Sequence, residues 1–268
     1  MHPRVSVNDC VLGEAPLRDA LELWSALGSS SITVSHRKLQ EAGWDEAIRS
    51  IAELGIPVAS IVHGNVFTLA DPSRWDGQRE ALSRTLEAAR LLGATCVYTT
   101  TGSGGGLPWD EAAAAFAAAI APQVEQAAAG GVRLLCETTN SLTSDISIAH
   151  TLPGLLDLAD RSGVRLCIDF FHCWNEAHLD RWLAEAAPRA DLAQVCDVVI
   201  GDRSLTSRAV PGDGDVQIER MLRILVDSGF EGIFDLEMRG PRIEAEGSYA
   251  AARRAAAWLS DALKRIGA

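Results

Sequence analysis

Apolar and polar positions along the chain alternate between two kinds of segment. A helix-like stretch runs to a Gly or polar break, and a short apolar, β-branched run follows it. The breaks read Ala26-Leu27-Gly28 before Ser31-Ile32-Thr33-Val34, Leu54-Gly55 before residues 56–62, and Leu92-Gly93 before Thr95-Cys96-Val97-Tyr98. They continue with Gly130-Gly131 before residues 132–136, Gly163 before residues 164–168, Ala190 before residues 192–195, and Gly229-Phe230 before Ile233-Phe234-Asp235-Leu236. With Val5-Ser6-Val7 at the start, this predicts eight strands. Helices are predicted over 15–27, 44–54, 78–92, 110–129, 178–188, 216–228 and 246–265. Gly after a helix supplies a left-handed cap, and a continuous apolar run suits a strand covered on both faces. Eight β-then-α units in one domain spanning 1–268 define a single-domain (β/α)8 barrel. An open doubly wound sheet is the alternative, but no G-x-G-x-x-G follows the first strand.

Composition narrows the chemistry. The 268 residues carry 24 Lys+Arg against 36 Asp+Glu, a formal net charge of −12. That balance disfavours a protein that grips a nucleic-acid backbone. No apolar run approaches the ~20 residues that span a bilayer. The start, Met1-His2-Pro3-Arg4-Val5, has no apolar leader, so a cytoplasmic address is expected. The six cysteines form no C-x-x-C pair and read as reduced core residues. Lys38 and Lys264 are the only lysines, and neither has an apolar setting in the sequence that would lower its pKa for Schiff-base chemistry.

In such a barrel the active site sits at the C-terminal ends of the strands. There the sequence places Glu137 after Leu134-Leu135-Cys136, Asp169 after Cys167-Ile168, Gln194 and Asp197 on the seventh strand, and Glu237 after Asp235-Leu236. One such residue alone reads as a helix cap or a solvated charge. Carboxylates from successive strands at one mouth would repel unless a cation held them. Glu137, Asp169, Gln194 and Glu237 form an all-oxygen set with three negative charges, which suits one divalent ion, Mn2+ or Mg2+, better than Zn2+. His36 and His63 follow the second and third strands and are candidates for lining the same opening, or simply satisfied polar residues. The segment Thr99-Thr100-Thr101-Gly102-Ser103-Gly104-Gly105-Gly106 lacks a P-loop ending and is expected to be a flexible lid. Phe67, Trp75, Trp109, Phe170, Phe171 and Trp174 hint at an apolar-walled pocket.

The ordered set Glu137-x-x-Asn140, Asp169-x-x-His172, Gln194-x-x-Asp197, Arg208 before Pro211-Gly212-Asp213-Gly214, and Glu237 resembles the xylose isomerase-like TIM barrels. The motifs cover roughly residues 130–240, and the architecture covers the whole chain. That superfamily includes sugar-phosphate isomerases and epimerases, ketose 3-epimerases, hydroxypyruvate isomerase, inosose dehydratase and the endonuclease IV branch. The resemblance implies metal ligation by Glu137, Asp169, Gln194 and Glu237, with Gln194 where many members have His. It implies Glu137 and Glu237 as an acid/base pair working through a metal-stabilised enediolate. His172 and Arg208 would hold substrate oxygens; an Arg fork suits a carboxylate, phosphate or oxyanion.

Bland readings stand beside these. His172 reads also as a loop cap, Arg208 as a brace to Asp202 or Asp213, Asp197 as a structural carboxylate, and Pro211-Gly212-Asp213-Gly214 as a plain turn. The expected function is isomerisation or epimerisation of a sugar, keto-polyol or hydroxy-keto acid. A lyase or dehydratase would share the first proton abstraction, and a non-catalytic sugar-binding barrel is a third reading. A small carbohydrate-like substrate is the expected partner, with neither nucleic acid nor membrane, and a homodimer or homotetramer is in keeping with the family.

Overall fold

Each predicted apolar run forms a strand of one closed barrel. The computed structural model describes residues 1–203 and 206–268. The strands are β1 (Val5–Asn8), β2 (Ser31–Ser35), β3 (Val58–Asn65), β4 (Cys96–Thr100), β5 (Arg133–Glu137), β6 (Arg165–Asp169), β7 (Ala190–Val195), β8 (Asp197–Val198), β9 (Arg208–Ala209) and β10 (Ile233–Leu236). The barrel closes in the order β1-β10-β7-β6-β5-β4-β3-β2, with every neighbouring pair parallel. β8 and β9 form a separate antiparallel ribbon pairing Asp197 with Ala209 and Val198 with Arg208.

The helices are α1 (Leu17–Leu27), α2 (His36–Ala42), α3 (Trp44–Leu54), α4 (Trp75–Leu92), α5 (Trp109–Ala129), α6 (Leu152–Ser162), α7 (Phe170–Cys173), α8 (Leu179–Ala186), α9 (Ile218–Asp227), α10 (Pro241–Glu246) and α11 (Ser248–Ile266). The predicted helices correspond to α1, α3, α4, α5, α8, α9 and α11 with ends shifted by a few residues. The short α7 and α10 were not among them, and neither were α2 and α6. Each of the latter two carries its own start signal: Ser35 Oγ accepts from Lys38 N, and Thr151 accepts from Gly154 N with Pro153 in the first turn. Among the described residues no helix is long and apolar enough to cross a membrane.

Strand alternation divides the core in two. Residues such as Val97, Leu134, Ile168 and Phe234 pack outward against the helices. Their neighbours Cys96, Tyr98, Leu135, Cys167 and Leu192 form a smaller cluster facing inward. The interior is not apolar throughout, because Ser6, Asn8, Thr33, Ser60 and Asp235 are also buried there. At the N-terminal end, Arg133 and Arg165 both bind the buried Asp191 carboxylate, tying the starts of β5, β6 and β7 together.

Two expectations change. Thr99, Thr100, Thr101 and Gly102 are buried rather than part of a lid. Gly102 N donates to Ile146 O at 2.9 Å, and Leu69 N donates to Ser103 O at 3.2 Å. A Cβ on Gly102, whose φ is +84°, would lie 1.7 Å from Phe67 O, so this close packing requires glycine. Only the tip at Gly105-Gly106 is exposed.

Lys38, read from the sequence as having no apolar setting, is nonetheless enclosed. Its side chain is fully buried, with Nζ donating to Asp9 O (3.0 Å) and Gly13 O (3.3 Å) and lying 3.9 Å from the Asp9 carboxylate. That carboxylate also accepts from Ser35 N and Ser35 Oγ, so the β1–α1 connection is pinned to α2. Lys38→Met leaves a buried carboxylate and two carbonyls without their cation, and is expected to cost about 3 kcal/mol in urea unfolding. An unchanged midpoint would show that the pair contributes nothing.

Candidate active site

Parallel pairing brings the polar residues to one rim. Glu137 ends β5, Asp169 ends β6, Gln194 sits one residue before the end of β7, and Glu237 follows β10 directly. Asp169 is in register with Gln194, and Gln194 with Asp235, so Glu237 stands two residues beyond Asp235 on the same inward face. Asp169 is fixed locally. It caps α7 by accepting from Phe171 N at 2.8 Å, and its own N–H donates to Thr138 Oγ1.

Arg208 enters from the β8–β9 ribbon. Its Nη2 lies 2.8 Å from Asp169 Oδ2 and 3.2 Å from Glu237 Oε1, and its guanidinium stacks 4.4 Å from the centre of the Phe171 ring. The brace with Asp202 or Asp213 does not form: Asp202 meets Ser207 and Arg242, and Asp213 meets Arg254. Arg208 Nε is buried and has no hydrogen-bond partner among the described residues. Phe171 is thus the member of the predicted aromatic set that stacks on Arg208; Phe67 and Phe170 are buried in the helix-facing core.

One ligating atom from each of Glu137, Asp169 and His172 falls within 4.8 Å of the others. The imidazole is a donor in this group. Its Nδ1 accepts from Asn140 N (3.1 Å) and Asn140 Nδ2 (2.9 Å), and Leu142 N donating to Asn140 Oδ1 fixes that amide's orientation. The ring proton therefore sits on Nε2, 3.5 Å from Asp169 Oδ2. A protonated Nε2 has no lone pair for a cation, so within this group only the two carboxylates could offer one a ligand atom.

Glu237 and Glu137 differ sharply in their partners. Glu237 Oε2 accepts from Tyr98 OH (3.3 Å) and from Gln194 Nε2, while Oε1 faces Arg208. Gln194 Oε1 accepts from the Cys167 thiol at 3.2 Å. No described donor reaches the Glu137 carboxylate.

Burial, then the charges of Glu237 and Asp169, hold the Glu137 carboxyl well above the ordinary carboxylate range. Burial likewise raises Glu237 to about 7, with Arg208 opposing the rise. For Arg208, burial favours the neutral form, but Asp169 and Glu237 outweigh it and keep the guanidinium charged. His172 is lowered to about 4 by burial, so it is a neutral donor near pH 7.

His36 and His63 are not brought to this cluster. Both Nδ1 atoms lie 2.7 Å from Thr85 Oγ1 on α4, and the two rings meet edge to face outside the barrel interior. They satisfy one another's surroundings between α2, β3 and α4. Asp197 holds the loop instead: it accepts from Val198, Gly212 and Val216 N–H groups, and so fixes the Pro211-Gly212-Asp213-Gly214 turn. Sequence reasoning missed Tyr98 and Asn8 beneath Glu237. The signal was their period-two position on the inward face of β4 and β1.

A closed (β/α)8 barrel with carboxylates, one Arg and one neutral His at its C-terminal rim defines the class. The family model "Xylose isomerase-like TIM barrel" matches residues 19–262, and the chain belongs to that family. No curated protein matches the sequence. Among solved structures, the IolI protein with a bound zinc atom superposes with a TM-score of 0.84 at 18% identity, covering 98% of this chain and 99% of that one. An L-ribulose 3-epimerase gives 0.81 at 20% identity, with 100% and 96% covered. A probable 3-DHS dehydratase, AsbF, from Bacillus anthracis gives 0.75 at 14%, with 96% and 98% covered. At these identities the likeness shows a shared fold.

Proposed function

We propose that this chain is a divalent-metal-dependent isomerase or epimerase of a small ketose, keto-polyol or hydroxy-keto acid. The observation that carries this reading is the imbalance at the rim, where among the described residues Glu137, Asp169 and Glu237 face one cation, Arg208, and Glu137 has no donor. The donor set fits a hard divalent ion, Mn2+ or Mg2+, held by the three carboxylates with Gln194 beside them. Gln194 is the weakest of the four, because its amide oxygen is engaged by the Cys167 thiol. Such an ion supplies Lewis acidity to a substrate carbonyl.

The chain's own residues then divide the work. Glu137, free of donors, is the carboxylate that takes a proton from the carbon beside the carbonyl and keeps it, and Glu237, raised to about 7, delivers a proton of its own at the neighbouring carbon or the opposite face. His172 Nε2–H and the unpaired Nε–H of Arg208 are donors for substrate oxygens. The same first abstraction followed by loss of a β-leaving group gives a dehydratase, and the shared fold of AsbF supports keeping that as the second reading.

Incubation with Mn2+ in D2O across ketoses, keto-acids and inososes tests both. The expected result is Mn2+-dependent deuterium in an unbroken sugar or acid. Loss of water from the labelled substrate would shift the assignment to the lyase. Absence of exchange on every compound, together with no calorimetric Mn2+ binding, would remove the catalytic reading.

A further inference from the structure

Beneath Glu237 the barrel holds a hydrogen-bonded column whose donors have a forced direction. Asn8 Oδ1 accepts from Cys10 N at 3.0 Å, which fixes the side-chain amide, and both Nδ2 protons are then used. One goes to Asp235 Oδ2 at 2.8 Å and the other to Tyr98 OH at 3.2 Å. Asp235 cannot turn away, because Thr33 Oγ1 donates to its other oxygen at 2.8 Å and Thr33 is itself bonded to Ser6 and Ser60. Tyr98 therefore accepts from Asn8, and among the described residues its own proton goes to Glu237 Oε2 at 3.3 Å. Tyr98 is 2% exposed and Asn8 and Asp235 are fully buried, so the column is enclosed by protein below Glu237.

We propose that Tyr98 is a positioning residue for Glu237, held in its donor orientation by Asn8 and Asp235. With Tyr98 and Gln194 on Oε2, that oxygen is saturated, and Oε1, on the Arg208 side, is the one left to work. This rests on the metal-dependent reading above insofar as Glu237 serves there. The geometric claim about Tyr98 and Glu237 stands apart from it.

The test is a cycle of Mn2+ affinities measured by calorimetry on the full chain: wild type, Tyr98→Phe, Glu237→Gln and the double variant. Removing a group that orients a metal-binding side chain typically weakens affinity about 10- to 100-fold. Tyr98→Phe is expected to weaken Mn2+ binding by about tenfold or more in the wild-type background and to have no effect when Glu237 is already Gln. An equal loss in both backgrounds would mean that the ring merely supports the barrel, and would overturn the proposal. Crystal structures of wild type and Tyr98→Phe provide the second readout. The Glu237 carboxylate is expected to turn off its wild-type orientation while the β4 backbone stays in place, and an unmoved carboxylate would overturn the assignment. If wild type binds no Mn2+, the metal reading fails and the carboxylate orientation alone decides the positioning claim.

Discussion

Glu137→Gln is expected to lower the rate of substrate proton exchange by about 10²–10⁴-fold, the usual contribution of a positioned acid or base. The amide keeps the size of the carboxyl and removes its charge. Because no described donor reaches Glu137, and Glu237 and Asp169 repel it, the same substitution is expected to make the metal-free protein more stable. Activity and stability should therefore move in opposite directions, with Mn2+ affinity falling alongside activity. Solvent-deuterium exchange, thermal melting without metal, and calorimetry read the three effects. A Glu137→Gln variant that melts lower and exchanges protons at the wild-type rate would sink both the role and the electrostatic account behind it.

Arg208→Met is expected to have the largest effect on the metal-free fold. Asp169 and Glu237 would lose their shared cation in a buried setting, and breaking such a pair typically costs about 3–5 kcal/mol. Because burial raises Glu237 to about 7, its folded carboxyl binds a proton more tightly than its unfolded one. Stability carried by that group therefore falls as pH rises from the ordinary carboxylate value through about 7. The deficit of the variant should be larger at pH 8 than at pH 5, and added Mn2+ should recover part of it. Urea unfolding at both pH values, with and without Mn2+, measures this. A deficit independent of both pH and Mn2+ would point to lost packing against Phe171 instead of lost charge.

The barrel was legible in the sequence because its joints are chemically marked. Gly28, Gly55, Gly93 and Gly163 each close a helix in the left-handed conformation just before an apolar run. The carboxylates at the strand ends were legible for a related reason: β5 and β6 change from apolar to acidic within one residue. α2 was hidden because it follows β2 without a loop, its cap Ser35 being the last strand residue. The burial of Lys38 was not legible because its partners, Asp9 and the Gly13 carbonyl, lie 29 and 25 residues away. His36 and His63 stand at strand ends like the site residues, and only side-chain direction sends them to Thr85. Tyr98 looked like core and is core; its hydroxyl matters only because β10 places Glu237 across the barrel from it.

The ribbon that carries Arg208 has an evolutionary consequence. All three rim carboxylates stand at the ends of barrel strands, where moving one disturbs the closure of the whole sheet. Arg208 comes from a short hairpin outside that closure, tethered at its base by Asp197. The positive charge at the rim can be repositioned, replaced or deleted by remodelling that one ribbon, while the three carboxylates stay where they are. Descendants of this scaffold could thus change the charge presented at the rim without rebuilding the carboxylates at the strand ends.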